Sequence, residues 1–554
     1  MMTFMAYKNI IIFIALFFVA VFFSCSSEQK SSETTDDDRG ITETPDDTDF
    51  NDSDEPADIH DDDIISDNGN FEKGPYGFSF GDTAGDFTLP LESGDWKFSE
   101  NRSSLENYIF IFYRPSNSES RTIWQTDLIR MFDNTPENTY YFFLVEGTEE
   151  IFAQRTEQLK NNIRNAVQIS GKPGIMNKVH VVSKPVDNFE SWFSDWLKRY
   201  PDFFLGIDRF QKIRYGGSFH SWQSSTFDPK LEFIYKEAEL YNFEHYLSQA
   251  LEQNKERSVI IKGVDGETFP EEGWVKDIYF EAEFPKLAEH GKLYIYLEQI
   301  CISQKDCEWD RLQHLYLCDN DDPDKCDIEI GRWITTYGRS GKWLTDISSF
   351  LPLFKNSGKY KFRFTVTGDN YINYLDLIFV EDEEAPVPSE LIPLYSGTTQ
   401  FNESYNDKFD KIEVAIPENF DKVIISAYIT GHGNGSETEN CAEFCKFESI
   451  FYVNDVPFST KFDNAGTSLG CFNKVTKGVV PNQYGSWPFG RAGWCPGQDV
   501  KPINIDITEH VNPGEKNTIF FQSFLRGENY IPEVTDPSGY RAEIPLSSYI
   551  VLWK

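Results

Sequence analysis

Hydrophobic and polar positions follow three textures along this chain. From about residue 258 to the end, short runs such as 292–297, 359–366, 375–380, 423–429 and 518–524 alternate with a period of two. Gly, Pro, Asn and Asp separate these runs, which is the pattern of half-buried strands in β-sandwiches. The span of roughly 300 residues is long enough for two such sandwiches. Between about 75 and 254 the pattern changes: 108–113 (YIFIFY) and 140–145 are continuous apolar runs of strand length, 122–132 has helical spacing, and 203–215 reads as a hairpin. That order predicts an α/β sheet. The third texture, 26–73, is rich in Asp, Glu, Ser and Thr, carries the runs 36–38 and 61–63 of aspartate, and has almost no large apolar residues. It cannot bury enough surface to fold, so it is expected to be a disordered, self-repelling tether reaching roughly 40 Å or more. A calcium-binding repeat would need a regular glycine spacing that this segment lacks.

Residues 1–24 carry Lys8 and then an apolar run, 10–23, ending at Ser24 and Cys25. This is the pattern of a signal peptide, and the cysteine directly after it predicts a bacterial lipoprotein acylated at Cys25, with an ordinary secretory signal as the alternative. The chain is therefore expected in the cell envelope, at the outer membrane or cell surface, touching the membrane only through its lipid. It is expected to be secreted if not lipidated. The expected segmentation is 1–24 signal peptide, 25–74 lipid-attachment cysteine and acidic linker, 75–254 α/β domain, and 255–385 and 386–554 β-sandwiches. The run EDEEAPVP at 381–388 marks the boundary between the sandwiches.

A formal charge of −39 leaves too few Lys and Arg to neutralise phosphates, which argues against nucleic acid as a partner. Apart from Cys25, the chain has eight cysteines, all beyond residue 300. An even set in an exported chain implies disulfides. Local pairing is the simplest arrangement: Cys301 with Cys307, Cys318 with Cys326, Cys441 with Cys445, and Cys471 with Cys495. Spacing alone does not decide connectivity. Zinc is the rival reading, against which stand the lack of a CxxC pair and the scarcity of histidine.

The segment GDTAGDFTLPLESGDW at 81–96, followed by YIFIFYRP, resembles the start of the thioredoxin and peroxiredoxin superfamily over about 170 residues. There the strand would lead to a reactive cysteine at a helix start, but the stretch 114–121 has none. Without a thiolate the redox chemistry is lost, so a spacer or recognition module is the expected use.

The most specific segments are CEWDRLQHLYL at 307–317, GRWITTY at 331–337, CAEFC at 441–445 and NQYGSWPFGRAGWCPG at 482–497, with smaller echoes LTDISSF at 344–350 and NIDIT at 504–508. In this order, over about 258–554, they resemble the peptide-N-glycosidase F family. The resemblance implies two adjacent eight-stranded antiparallel jelly rolls with the site at their junction. It also implies an amidase that cleaves between asparagine and the innermost N-acetylglucosamine of N-linked glycans, leaving aspartate. Its substrates would be N-glycosylated proteins or glycopeptides, acted on by a monomer with no metal or other cofactor.

Carried over by motif, Asp310 matches the family's main catalytic aspartate and Glu443 an essential glutamate on the other jelly roll. Arg311 and Arg491 match arginines lining the site, and His432 and Asn434 in TGHGNG fall in a bordering loop. The residue types suit the chemistry: one carboxylate positions or deprotonates water, while a second acid and an arginine stabilise charge on the amide oxygen. A further family glutamate falls near Thr365, where no acid stands, and Asp369 is the candidate substitute if it reaches in from the end of that strand. Trp309 and Trp487 are candidates to stack on sugar rings, whereas Trp494 reads as core. Read alone, Asp310 beside Arg311 is an ordinary solvated ion pair and Glu443 a bystander in a small loop. The alternative function is a glycan-binding lipoprotein that holds without cutting, which the missing acid favours. A copper monooxygenase on paired jelly rolls would need clustered His or Met ligands, and the eight histidines include no clustered pair.

Overall fold

The computed structural model describes residues 71–116, 128–189, 192–200, 204–214, 229–302, 307–319, 322, 324–368, 370–433, 435, 438–482, 486–533 and 540–554, with only the backbone of 229–233. The expected signal peptide, Cys25 and nearly all of the acidic linker lie outside these residues, as do Asp369, Asn434 and most of the expected helix at 122–132.

The N-terminal part is a mixed four-stranded sheet. Strands β1 (Asn107–Tyr113), β2 (Thr139–Val145), β3 (Val179–Val181) and β4 (Phe204–Ile207) stand in the order β3-β2-β1-β4. The β1/β2 and β2/β3 pairs are parallel and β1/β4 antiparallel. All seven residues of β1 are buried, because both faces of the sheet are covered, and this explains the uninterrupted apolar run. Tyr108, Phe110 and Phe112 face a core with Trp96, Phe98 and Phe193, while Ile109, Ile111 and Tyr113 face the opposite side. The expected hairpin at 203–215 is short: β4 turns back through the antiparallel Ile207–Ile213 bridge, with the Asp208 amide donating to the Lys212 carbonyl at 3.0 Å and the Arg214 amide to the Gly206 carbonyl at 2.8 Å.

Helix α1 (Glu149–Ile169) starts at Thr148, whose hydroxyl accepts from the Ile151 amide at 3.4 Å, with Glu149 and Glu150 in the first turn. Its buried side chains Thr156, Leu159, Ile163, Ala166 and Val167 recur at helical spacing. A second helix, α2 (Pro229–Gln253), ties this part to the C-terminal β-sheets through Glu237, which forms a buried ion pair with Arg339. Glu244 adds bonds to Arg214 at 2.7 Å and to Lys342 at 3.3 Å.

Beyond residue 257 the chain forms antiparallel sheets in two pairs. The first pair uses β5 (Ser258–Thr268), β6 (Val275–Phe284), β7 (Gly291–Ile300), β8 (Leu312–Cys318), β9 (Cys326–Ile334), β10 (Gly341–Asp346), β11 (Gly358–Thr367) and β12 (Ile372–Glu381). These form sheets ordered β10-β7-β12-β5 and β9-β8-β11-β6. The second pair uses β13 (Pro388–Gln400), β14 (Ile412–Ala415), β15 (Lys422–Ile429), β16 (Phe447–Val453), β17 (Val456–Lys461), β18 (Ile503–Asp506), β19 (Lys516–Leu525) and β20 (Glu543–Trp553), ordered β13-β20-β15-β18 and β14-β19-β16-β17. Strict alternation packs one face of each strand inward. In β7, for example, Leu293, Ile295 and Leu297 are fully buried between partly exposed neighbours.

The two halves lock together through β9. Arg332 donates to Glu329 from Nε and Nη2, both at 2.7 Å, and from Nη1 to Thr430 Oγ1 at 2.9 Å and the Pro545 carbonyl at 3.0 Å. Ser547 and the Tyr549 hydroxyl of β20 donate back to Glu329. The two-residue strand Gln498–Asp499 from the second half extends the first half's sheet at the β9 edge. Burial pushes the Glu329 carboxyl up, but Arg332 and His314 outweigh this and hold it well below the usual carboxylate range. Glu329→Leu, which strands Arg332 without a countercharge, is expected to cost about 3–5 kcal/mol in urea unfolding. Adding Arg332→Met should recover most of that loss.

Candidate functional site

Asp310 stands at the entrance to β8, in a turn whose neighbours are fixed one by one. The Thr335 hydroxyl donates to the Trp309 carbonyl and accepts from the Arg311 amide, both at 2.7 Å. The Thr335 amide donates to the Arg311 carbonyl at 2.9 Å, and the Gly338 amide to the Cys307 carbonyl at 2.6 Å. The Cys301–Cys307 disulfide closes the chain just before this turn.

Glu443 comes from the other half, inside the loop closed by the Cys441–Cys445 disulfide. Its carbonyl accepts from the Ala492 amide at 2.9 Å, which fixes it against the segment carrying Arg491. Its carboxylate accepts from the Gly433 amide. Gly433 has φ of +127°, and a Cβ there would lie 2.7 Å from the Asn440 carbonyl oxygen and 2.8 Å from Ala542 Cα. Only glycine fits that close approach.

Arg491 joins the two acids. Its Nη2 reaches Asp310 Oδ2 at 3.2 Å and its Nε reaches Glu443 Oε1 at 3.0 Å. The guanidinium has no exposed surface. Nη1 donates to the carbonyls of Ser486 and Phe489, each at 3.0 Å, and Nη2 also meets Ser486 Oγ at 3.0 Å and the Tyr337 hydroxyl at 3.4 Å. The ring of Trp494 lies 4.8 Å from the guanidinium carbon.

The electrostatics follow from burial. Desolvation raises the Asp310 carboxyl above its ordinary value against the pull of Arg491 and of a hydrogen bond from Tyr337. Desolvation also raises Glu443, opposed by Arg491 and reinforced by the charge of Asp310, to about 7. With one cation between two acids, the pair sheds its protons in two separated steps.

The remaining expected residues distribute unevenly. Arg311 lies 4.8 Å from the ring of Trp274 and 6.0 Å from that of Trp309. Trp309 is 50% exposed, as a rim residue must be. Trp487 is 1% exposed and packs on Phe472 at 5.8 Å, so the expectation that it stacks on a sugar is corrected: its ring offers no face to a ligand. His432 is buried between Thr430 Oγ1, at 3.0 Å, and the stacked ring of Trp494. Burial, with the charges of Arg332, His314 and Arg491, holds it neutral, and it borders the site through its neighbour Gly433. Trp494 is core, as expected.

All four local cysteine pairs form disulfides. Tyr337, Ser486, Thr335 and Trp274 join the site although the sequence alone does not mark them. The first three lie in or beside segments that carry the family motifs, but their roles depend on which way each side chain turns. Thr365, at the position where the sequence has no acid, is buried opposite His314 and Asp277, and Asp369, the candidate substitute, lies outside the described residues.

Two carboxylates from separate β-sheet pairs thus meet on one arginine. Residues 400–551 match the family model described as "Peptide-N-glycosidase F, C terminal". Peptide-N(4)-(N-acetyl-beta-D-glucosaminyl)asparagine amidase F from Elizabethkingia miricola is 25% identical over 234 residues, 38% of this chain and 62% of that protein. The chain therefore spans less than two thirds of the curated relative it matches. Among solved structures, the glycosylasparaginase PNGase F from Flavobacterium meningosepticum aligns at 20% identity over 54% of this chain and 96% of that one, with a TM-score of 0.42. A structure of PNGF-II aligns at 15% identity over 54% and 65%, with a TM-score of 0.41.

The raised Glu443 carboxyl gives a signed expectation. A group near 7 when folded and near 4.5 when unfolded stabilises the fold fully below about pH 4.5 and loses that contribution as pH rises through about 7. Glu443→Gln cannot titrate, so its unfolding free energy relative to the parent, followed by urea unfolding, should climb between roughly pH 5 and pH 8 by an amount on the order of 2 kcal/mol. A flat difference across that range would show that Glu443 keeps an ordinary carboxyl.

Proposed function

We propose that the protein is an exported amidase that hydrolyses the bond between asparagine and the innermost N-acetylglucosamine of N-linked glycans. The single observation that carries this reading is the Asp310–Arg491–Glu443 bridge, with both carboxyls raised by burial. Asp310, held in place by a hydrogen bond from Tyr337, acts as the base that takes a proton from water. Glu443 keeps its proton to about pH 7 and acts as the acid. The hydroxyl of water adds to the asparagine side-chain carbon, the C–N bond breaks, and the leaving nitrogen takes the proton from Glu443. Aspartate and a glycosylamine result. Arg491 holds both acids at one point and, with the buried surroundings, stabilises the negative charge that develops on the amide oxygen.

Arg311 and Trp309 form the rim that receives the first sugars. Asn434 and Asp369 are proposed to complete it. The strand orders 6-3-8-1 with 5-4-7-2, and 1-8-3-6 with 2-7-4-5, support reading the sheet pairs as two eight-stranded jelly rolls, at 255–385 and 386–554. The mixed sheet of 75–254 supports a thioredoxin-like domain without redox function. Four disulfides fit an oxidising compartment, in keeping with export and with anchoring at Cys25.

The test is a denatured N-glycoprotein incubated with the protein, followed by the peptide mass: conversion of Asn to Asp with loss of the whole glycan is the expected result. An intact glycopeptide would mean a binding module instead. Asp310→Asn, which changes charge with little change of shape, is expected to abolish turnover in a protein that still folds, at a lowered melting temperature because Arg491 keeps only Glu443 as a countercharge. Arg491→Lys, unable to hold two carboxylates with a planar fork, should lower kcat by about a hundredfold or more. Full activity in either variant would remove that residue from the reaction.

A further inference from the structure

Outside the site, the outer face of the sheet β9-β8-β11-β6 carries an unusual row of side chains. The register places Tyr279, Arg363, Tyr316 and Glu329 on one cross-strand rung, and Asp277, Thr365, His314 and Arg332 on the next. Glu329 and Arg332 are covered by the second half. The strands β8, β11 and β6 turn their outer side chains toward solvent to varying degrees, and Tyr279 is 52% exposed. Both tyrosines are backed by cations: Arg363 lies 4.7 Å from the Tyr316 ring and Lys361 5.2 Å from that of Tyr279. At the catalytic end of the same face stands Trp274, 62% exposed, with Arg311 and Gly368 against it. From Trp274 to Tyr279 the strand runs about 15 Å.

A further feature points to a polar ligand. Where the face reaches the second half, a cavity of about 180 Å³ opens between His314, Tyr316 and Arg363 on one side and Ser396, Gly397 and Thr398 on the other. Exposed aromatic rings flanked by hydrogen-bonding groups are suited to the apolar faces and hydroxyls of sugar rings.

We propose that this face is a saccharide-binding trough, continuous with the Asp310–Glu443 site, that takes the outer residues of the same glycan whose innermost sugar lies at Arg311 and Trp309. The inference rests on the amidase reading for its direction, since that reading puts the reducing end of the glycan at Asp310. Outer sugars stack on Trp274 and Tyr279, and their hydroxyls bond to Asp277, Arg363 and His314. Occupying the trough adds affinity for the complete glycan without touching the scissile bond.

The test uses the full chain carrying Asp310→Asn and two glycopeptides of the same sequence, one with a chitobiose stub and one with a complete branched N-glycan, titrated by calorimetry. The complete glycan is expected to bind at least tenfold more tightly. Tyr279→Ala and Tyr316→Ala, checked for an unchanged melting temperature, should each cut that preference several-fold. Equal affinity for the two probes, no binding of either, or a preference that survives both substitutions overturns the trough. Cleavage of neither glycopeptide by the unsubstituted protein would overturn the amidase reading while leaving the measured preference to decide the trough separately.

Discussion

One buried guanidinium holds the candidate site together. Arg491 has no exposed surface, and its Nε and Nη2 reach acids that enter from different sheet pairs. A cation in that position would be very costly without partners, so Asp310 and Glu443 stabilise it as much as it orders them. The Ser486 and Phe489 carbonyls and the Tyr337 hydroxyl take up its remaining donors. The price of that arrangement falls on the acids, which share one positive charge in a desolvated place, so their carboxyls stay protonated to higher pH than usual.

That geometry requires the two halves to meet in fixed register, and several independent contacts enforce it. Arg332 and Glu329 of β9 bond to Thr430, Pro545 and Ser547, while Gln498–Asp499 joins the first half's sheet. Thr430 in turn holds His432, next to the glycine whose amide supports Glu443. A chain of buried polar contacts thus runs from the junction to the second acid. The N-terminal part adds a brace on another side, through the buried Arg339–Glu237 pair. The ring of Tyr235 also packs edge-on against Phe472.

Much of this is legible in the sequence, and the reasons are specific. Period-two alternation in segments such as β7 and β11 marks strands with one buried face, and the uninterrupted run of β1 marks a strand buried on both. Cysteines only a few residues apart, such as Cys441 and Cys445, leave local pairing as the simplest arrangement. Asp310, Glu443 and Arg491 are readable because each sits in a segment with a distinctive sequence of its own. Trp487 is misplaced by the sequence reading because an aromatic residue in a glycine-rich loop carries no periodicity to say which way it turns. Tyr337 escapes for the same reason at the end of a strand, and Trp274 because its loop has no motif.

The amino-acid sequence by itself determined the β architecture of the second half and an α/β part before it, since these depend on local alternation and composition, and it marked the two acids only through the motifs that carry the family resemblance. Only the tertiary structure decided that Arg491 lies between the acids rather than on a rim, that His432 is buried and neutral, and that Tyr337 joins Asp310. These outcomes depend on which faces become covered when two sheet pairs dock. Burial at such a junction is set by partners more than a hundred residues away, as between Asp310 and Arg491, and no local pattern encodes it.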